Sequence, residues 1–220
     1  MSPSDLRERR IAWLMLILCP LIMMTVFAYV TFGSPQGVTS GHPIEYLQMT
    51  CILWAAVTVI LPILRLTRMI SLPLWFMLII YLDMYIYVIS LCNGLYMDFR
   101  WWSEFSHIIA SLVVSSIVFV ALCVMQSRSP KHASLGSKNG IILLTIIIAV
   151  GFGAMWEIME GLTDLLSGQD YMMYGPLDTL GDFGADLLGA SLMAVVWILL
   201  IRDTNSIGLQ LRIGKKNIDV

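Results

Sequence analysis

Charge is what this chain has least of. Charged residues make up 13% of its 220 positions against a hydrophobic share of 58%, and the mean hydropathy is +0.82. Soluble domains carry about a quarter charged residues, so this scarcity excludes an ordinary soluble fold. A net charge of −2 offers no basic surface for a nucleic-acid partner. The cysteines are few and scattered: Cys19, Cys51, Cys92 and Cys123 fall singly in apolar stretches. No C-x-x-C or Cys/His zinc spacing links them, and they read as core residues.

What fills the chain instead is long apolar runs. A spanning helix needs about 20 mostly apolar residues. Six segments qualify, at about 11–32, 46–64, 70–95, 103–125, 140–162 and 180–201. Turn and polar residues cluster between them, as in GSPQGVTSGHP, NGLYMDFRWW and QSRSPKHASLGSKN. The expected fold is an all-α polytopic membrane protein, a bundle of about six transmembrane helices forming one domain over 1–220. Residues 203–220 would form a cytoplasmic tail. The first apolar run follows RERR as a signal peptide would, but it is long and no small-x-small cleavage site follows. It reads as a retained anchor.

Basic residues are missing from one side of this arrangement. Of thirteen Lys and Arg, twelve lie before the first segment, after the last, or in the second–third and fourth–fifth connections, leaving Arg100 alone on the other side. The positive-inside rule then places both termini in the cytoplasm, and the cell's inner (plasma) membrane is the expected location. Trp101, Trp102, Tyr96 and Phe99 cluster where an interfacial aromatic belt belongs on the outer side.

The acids sort the opposite way, and eleven of fifteen fall in outer loops or outer helix halves. The fifteen residues Ile141 to Met155 hold no charge, yet Glu157, Glu160 and Asp164 follow directly. At 1.5 Å per residue, Glu157 lies about 24 Å above Ile141, Asp83 about 21 Å above Met69, and Asp186 about 24 Å above Arg202. His107 lies about 28 Å above Gln126. Four helices thus place an ionisable group near the outer boundary of a hydrocarbon core roughly 30 Å thick.

Helical spacing puts Glu157, Glu160 and Asp164 within an arc of roughly 60°. Asp178, Asp182 and Asp186 form a second stripe on the following helix. Asp178 and Asp182 sit where a helix start favours anions, whereas the acids of the preceding helix sit at its disfavouring C-terminal end. Asp170 reads as a solvated loop charge. Such carboxylates require protons, a basic partner or a bound cation. An oxygen-rich ligand set with one imidazole points to Mg²⁺, Mn²⁺ or Ca²⁺ ahead of zinc. The expected ligands are Glu157, Glu160, Asp164, Asp178, Asp182 and Asp186, with His107 or Asp83 handling a proton. Glycines 151, 153, 161, 181, 184 and 189, with Ala190, are expected to let these helices pack closely.

The sequence WEIME, then DTLGDFGADLLGA, resembles the YjdF-like family of uncharacterised multi-pass inner-membrane proteins over roughly residues 100–200. The shared pattern is E-x-x-E on one helix and D-T-x-x-D-x-x-x-D-x-x-G-A on the next. The resemblance singles out Glu157, Glu160, Asp178, Thr179, Asp182, Asp186, Gly189 and Ala190. His107 stands where the family has the histidine of a D-x-x-x-H element, with Ser103 in place of its aspartate. The resemblance implies no reaction. The D-x-x-D-G-x-x-A-R run of CDP-alcohol phosphotransferases is absent, as is the H-x-x-x-H pair of alkaline-ceramidase-like zinc hydrolases.

Three functional classes follow. One is a metal-dependent hydrolase or transferase acting on a lipid headgroup or a small extracytoplasmic substrate. Another is a cation- or proton-coupled carrier using the same carboxylates. The third is a non-catalytic membrane assembly factor. Carriers distribute acids through the membrane depth or break their helices in repeats; the nearly uncharged inner half favours a one-sided site.

Overall fold

A computed structural model describes residues 3–39, 41–67, 74–128, 136–168, 172 and 175–200. Arg68, Lys131, Asp170, Arg202 and the tail at 203–220 lie outside the described residues. The described elements are all helices, and the chain divides into two compact units, one running to Phe99 and the other starting at Arg100. Five helical stretches are long and apolar enough to cross a membrane: Arg9–Phe32, Ile44–Leu66, Trp102–Gln126, Lys138–Ser167 and Pro176–Leu200. Phe76–Cys92 is a shorter apolar helix.

The first unit holds α1 (Pro3–Phe32), α2 (Gln36–Thr39), α3 (Ile44–Thr58), α4 (Ile60–Leu66), α5 (Leu74–Cys92) and α6 (Leu95–Asp98). Its core is built from Met23, Val30, Leu47 and Val88, with Cys51 and Cys92. All four cysteines are buried and unbridged.

Proline explains the break between α3 and α4. Pro62 has no N–H, so it leaves the carbonyl of Thr58 without its helical donor. Tyr81 Oη, on α5, donates to that carbonyl at 2.7 Å. Tyr85 Oη donates at 3.1 Å to the carbonyl of Cys19, next to Pro20 of α1. In lipid an orphaned carbonyl is costly, so Tyr81 ties α5 to the break between α3 and α4, and Tyr85 adds a second bond from α5 to α1. Tyr81→Phe is expected to lower unfolding stability in detergent by about 1–3 kcal/mol, the cost of a buried unsatisfied carbonyl. An unchanged melting temperature would rule that role out.

The second unit is a three-helix bundle of α7 (Trp102–Arg128), α8 (Lys138–Ser167) and α9 (Pro176–Leu200). Helices α7 and α9 run parallel in fixed register. Ser103 meets Asp182, His107 meets Asp186, and Phe119 stacks on Trp197 with ring centres 4.6 Å apart. Gly189 permits the approach, since a Cβ there would lie 2.5 Å from the Ile108 carbonyl oxygen and 3.0 Å from Ser111 Cβ. Helix α8 runs antiparallel to both, and Lys138 Nζ donates to the Ile198 carbonyl at 3.0 Å. The far half of the bundle from the acids is packed by Val118, Phe119, Leu122, Cys123, Ile141, Ile142 and Ala194.

Helix α8 extends past position 162 to Ser167 because nothing in its sequence stops it earlier. Ser137 Oγ caps its start by accepting from Gly140 N at 3.2 Å. Gly168 ends it in the left-handed region at φ 68°.

Candidate functional site

Three helices converge on His107. It lies one turn along α7 from Ser103, so both side chains share a face. Asp182 and Asp186 are spaced the same way on α9, and Glu157 approaches from α8. His107 Nδ1 is 3.3 Å from Asp186 Oδ1. Its Nε2 is 3.6 Å from Glu157 Oε1 and 3.7 Å from Asp182 Oδ2. Every member is sequestered: His107 is 7% exposed, Glu157 5%, Asp186 3% and Asp182 1%.

The neighbours fix this arrangement. Ser103 Oγ donates to Asp182 Oδ2 at 3.2 Å, and Ser111 Oγ donates to the backbone carbonyl of Asp186 at 2.8 Å. Gly153 supplies the space on α8, because a Cβ there would fall on the Asp186 carboxylate. Even so, Glu157 Oε1 and Oε2, Asp182 Oδ1 and Asp186 Oδ2 are buried without a hydrogen-bond partner. Buried carboxylate oxygens in that condition are costly unless a proton or a positive charge meets them.

The two sides of the imidazole differ. At 3.3 Å, Nδ1 and Asp186 are close to hydrogen-bond range, whereas 3.6 and 3.7 Å at Nε2 exceed it. One ligand atom each from His107, Glu157 and Asp182 lies within 4.8 Å of the other two. Two ligands of one ion are at most twice the metal–ligand distance apart, about 4.2 Å for Mg²⁺ and about 4.8 Å for Ca²⁺. A separation of up to 4.8 Å lies within the limit for Ca²⁺, so the three groups are near enough to hold one such ion. Asp186 would then hold the Nδ1–H tautomer that presents the Nε2 lone pair, a common arrangement behind metal-binding histidines. The alternative is an imidazolium shared among the carboxylates.

The other residues singled out from sequence are placed differently. Glu160 is half-buried, and its Oε1 accepts from Trp156 Nε1 at 2.7 Å. Asp164 is buried, but both its oxygens accept from the Met172 N–H at 3.1 Å, fastening the connection after α8. Asp178 is half-buried in the first turn of α9. Asp83 is half-buried on α5 in the first unit. The site also draws in Ser111 and Glu104, which no motif marks. Glu104, on the first turn of α7, packs at Gly181, and its Oε2 is buried without a hydrogen-bond partner.

The aromatic residues at the start of α7 form a local cluster in which Trp101, Trp102 and Phe105 contact one another at 5.3–5.9 Å between ring centres.

A protein family described as "Predicted membrane protein (DUF2238)" matches residues 12–203. No curated protein and no solved structure shows a significant match.

Proposed function

The chain belongs to the DUF2238 family of predicted membrane proteins, and on that premise we propose that its second unit is a divalent-cation site used from the extracytoplasmic side. The carrying observation is that Glu157 and Asp182, which keep both and one of their carboxylate oxygens respectively buried without a hydrogen-bond partner, flank the Nε2 side of a histidine anchored on its other nitrogen. His107, Glu157 and Asp182 hold the ion, and Asp186 orients His107. Oxygen donors with one imidazole suit Mn²⁺ best among Mg²⁺, Mn²⁺ and Ca²⁺.

In this reading the chain makes six passes of the cell's inner membrane with both termini cytoplasmic. The site then lies near the outer boundary, where a lipid headgroup or a small extracytoplasmic molecule reaches it. A bound cation there would polarise a phosphoryl or carbonyl oxygen or activate water, fitting a hydrolase or transferase. The protein's part is to fix the ligands, hold the histidine tautomer and exclude bulk water. The apolar packing of the remainder of the α7–α9 bundle, from Val118 to Cys123 against Ile141, Ile142 and Ala194, supports a one-sided site over a carrier.

Metal analysis of detergent-purified protein tests this. After dialysis against Mn²⁺ and removal of free ion, wild type is expected to retain about one equivalent, and Glu157→Gln with Asp182→Asn to retain close to none. Equal retention in both proteins would overturn the assignment.

A further inference from the structure

A cation bound among side chains only 1–7% exposed has to shed most of its water on the way in. Carboxylates along the route ease that loss by replacing shell waters one at a time. Most acids near the cluster are already engaged: Glu160 by Trp156, Asp164 by the Met172 amide, and Asp186 by His107. Asp178, in the first turn of α9, is engaged as well.

Glu104 differs. It is three residues before His107, on the same face of α7 and nearer the helix end. It contacts α9 at Gly181, where a Cβ would meet its Oε1 at 3.4 Å and its Cγ at 3.6 Å. Gly181 directly precedes the proposed ligand Asp182, and Ser103, next to Glu104, bonds that same aspartate. Glu104 is half-buried, and its Oε2 is enclosed without a donor.

We infer that Glu104 is the carboxylate through which a hydrated divalent cation passes between the aqueous side and the His107–Glu157–Asp182 position. The inference rests on the cation reading of that cluster. Glu104 acts as a transfer position and is distinct from the three ligands, so its effect falls on rates.

Stopped-flow association of Mn²⁺ and its release to excess EDTA, in detergent-purified protein, test this. Glu104→Gln is expected to slow both steps by roughly tenfold or more, the scale on which a charged mouth alters ion capture. The Kd should stay within about threefold, and Glu104→Asp should recover part of both rates. Unchanged rates in Glu104→Gln overturn the inference. So does a lost equivalent of Mn²⁺, which would make Glu104 a ligand, or a failure of Glu104→Asp to improve on Glu104→Gln. Wild type that binds no Mn²⁺ would instead defeat the underlying cation site, an outcome visible before any variant is compared.

Discussion

Gly153→Ala is expected to damage the second unit far more than Gly151→Ala, two residues earlier on α8. The new Cβ falls on the Asp186 carboxylate, which can yield only by giving up its contacts. Its residue is 3% exposed, its Oδ1 lies 3.3 Å from His107 Nδ1, and its carbonyl is held by Ser111. Either α8 shifts away from α9 or Asp186 rotates off the histidine. Overpacking alone costs about 1–3 kcal/mol, and losing the partner of a buried charge adds about 3–5 kcal/mol. We therefore expect a loss of about 1–3 kcal/mol in detergent unfolding if α8 shifts, and of more than about 3 kcal/mol with loss of cation retention if Asp186 rotates off His107.

Gly151 is the matched control. A Cβ there meets nothing within 4 Å, so Gly151→Ala should be neutral or stabilise α8 by up to about 1 kcal/mol through helix propensity. Equal stability of the two variants would show that the notch at Gly153 does not position Asp186.

That contrast marks what the sequence makes legible. The apolar runs announce membrane-capable helices because hydrocarbon burial demands length and composition, both countable in a string. Spacing by four likewise predicts that Asp182 and Asp186 share a face, and both are buried beside His107. Spacing also sets Gly153, four residues before Glu157, on the acid face and Gly151 off it, but only the register of α9 against α8 reveals that Asp186 fills the notch. The same limit governs the acids of α8. Glu157, Glu160 and Asp164 lie on one arc, yet Trp156 engages Glu160 and a loop amide engages Asp164. Those partners depend on side-chain reach and on the path of the connection after Gly168. Glu104 gave no signal because an acid in the first turn of a helix is ordinarily explained by the dipole.

His107→Ala should have the largest effect on the site itself, and it separates the two ways of neutralising the acids. If a cation is ligated by Nε2, removing the imidazole deletes a direct ligand. Mn²⁺ affinity should then fall by more than the 10–100-fold expected when a residue behind a ligand is lost. Asp186→Asn supplies that milder case, because its amide oxygen still accepts from Nδ1–H and keeps the tautomer. Melting curves in Mn²⁺ and in EDTA report the difference. Saturating a site at 100 times its Kd stabilises the folded state by about 2.7 kcal/mol, so wild type should melt higher in Mn²⁺. Asp186→Asn should need more Mn²⁺ for the same shift, and His107→Ala should show almost none. Were His107 instead an imidazolium counter-ion, its removal would leave Glu157, Asp182 and Asp186 buried without it, and the wild-type curve would be the same in EDTA as in Mn²⁺. That second result would end the cation reading and leave a structural charge cluster in its place.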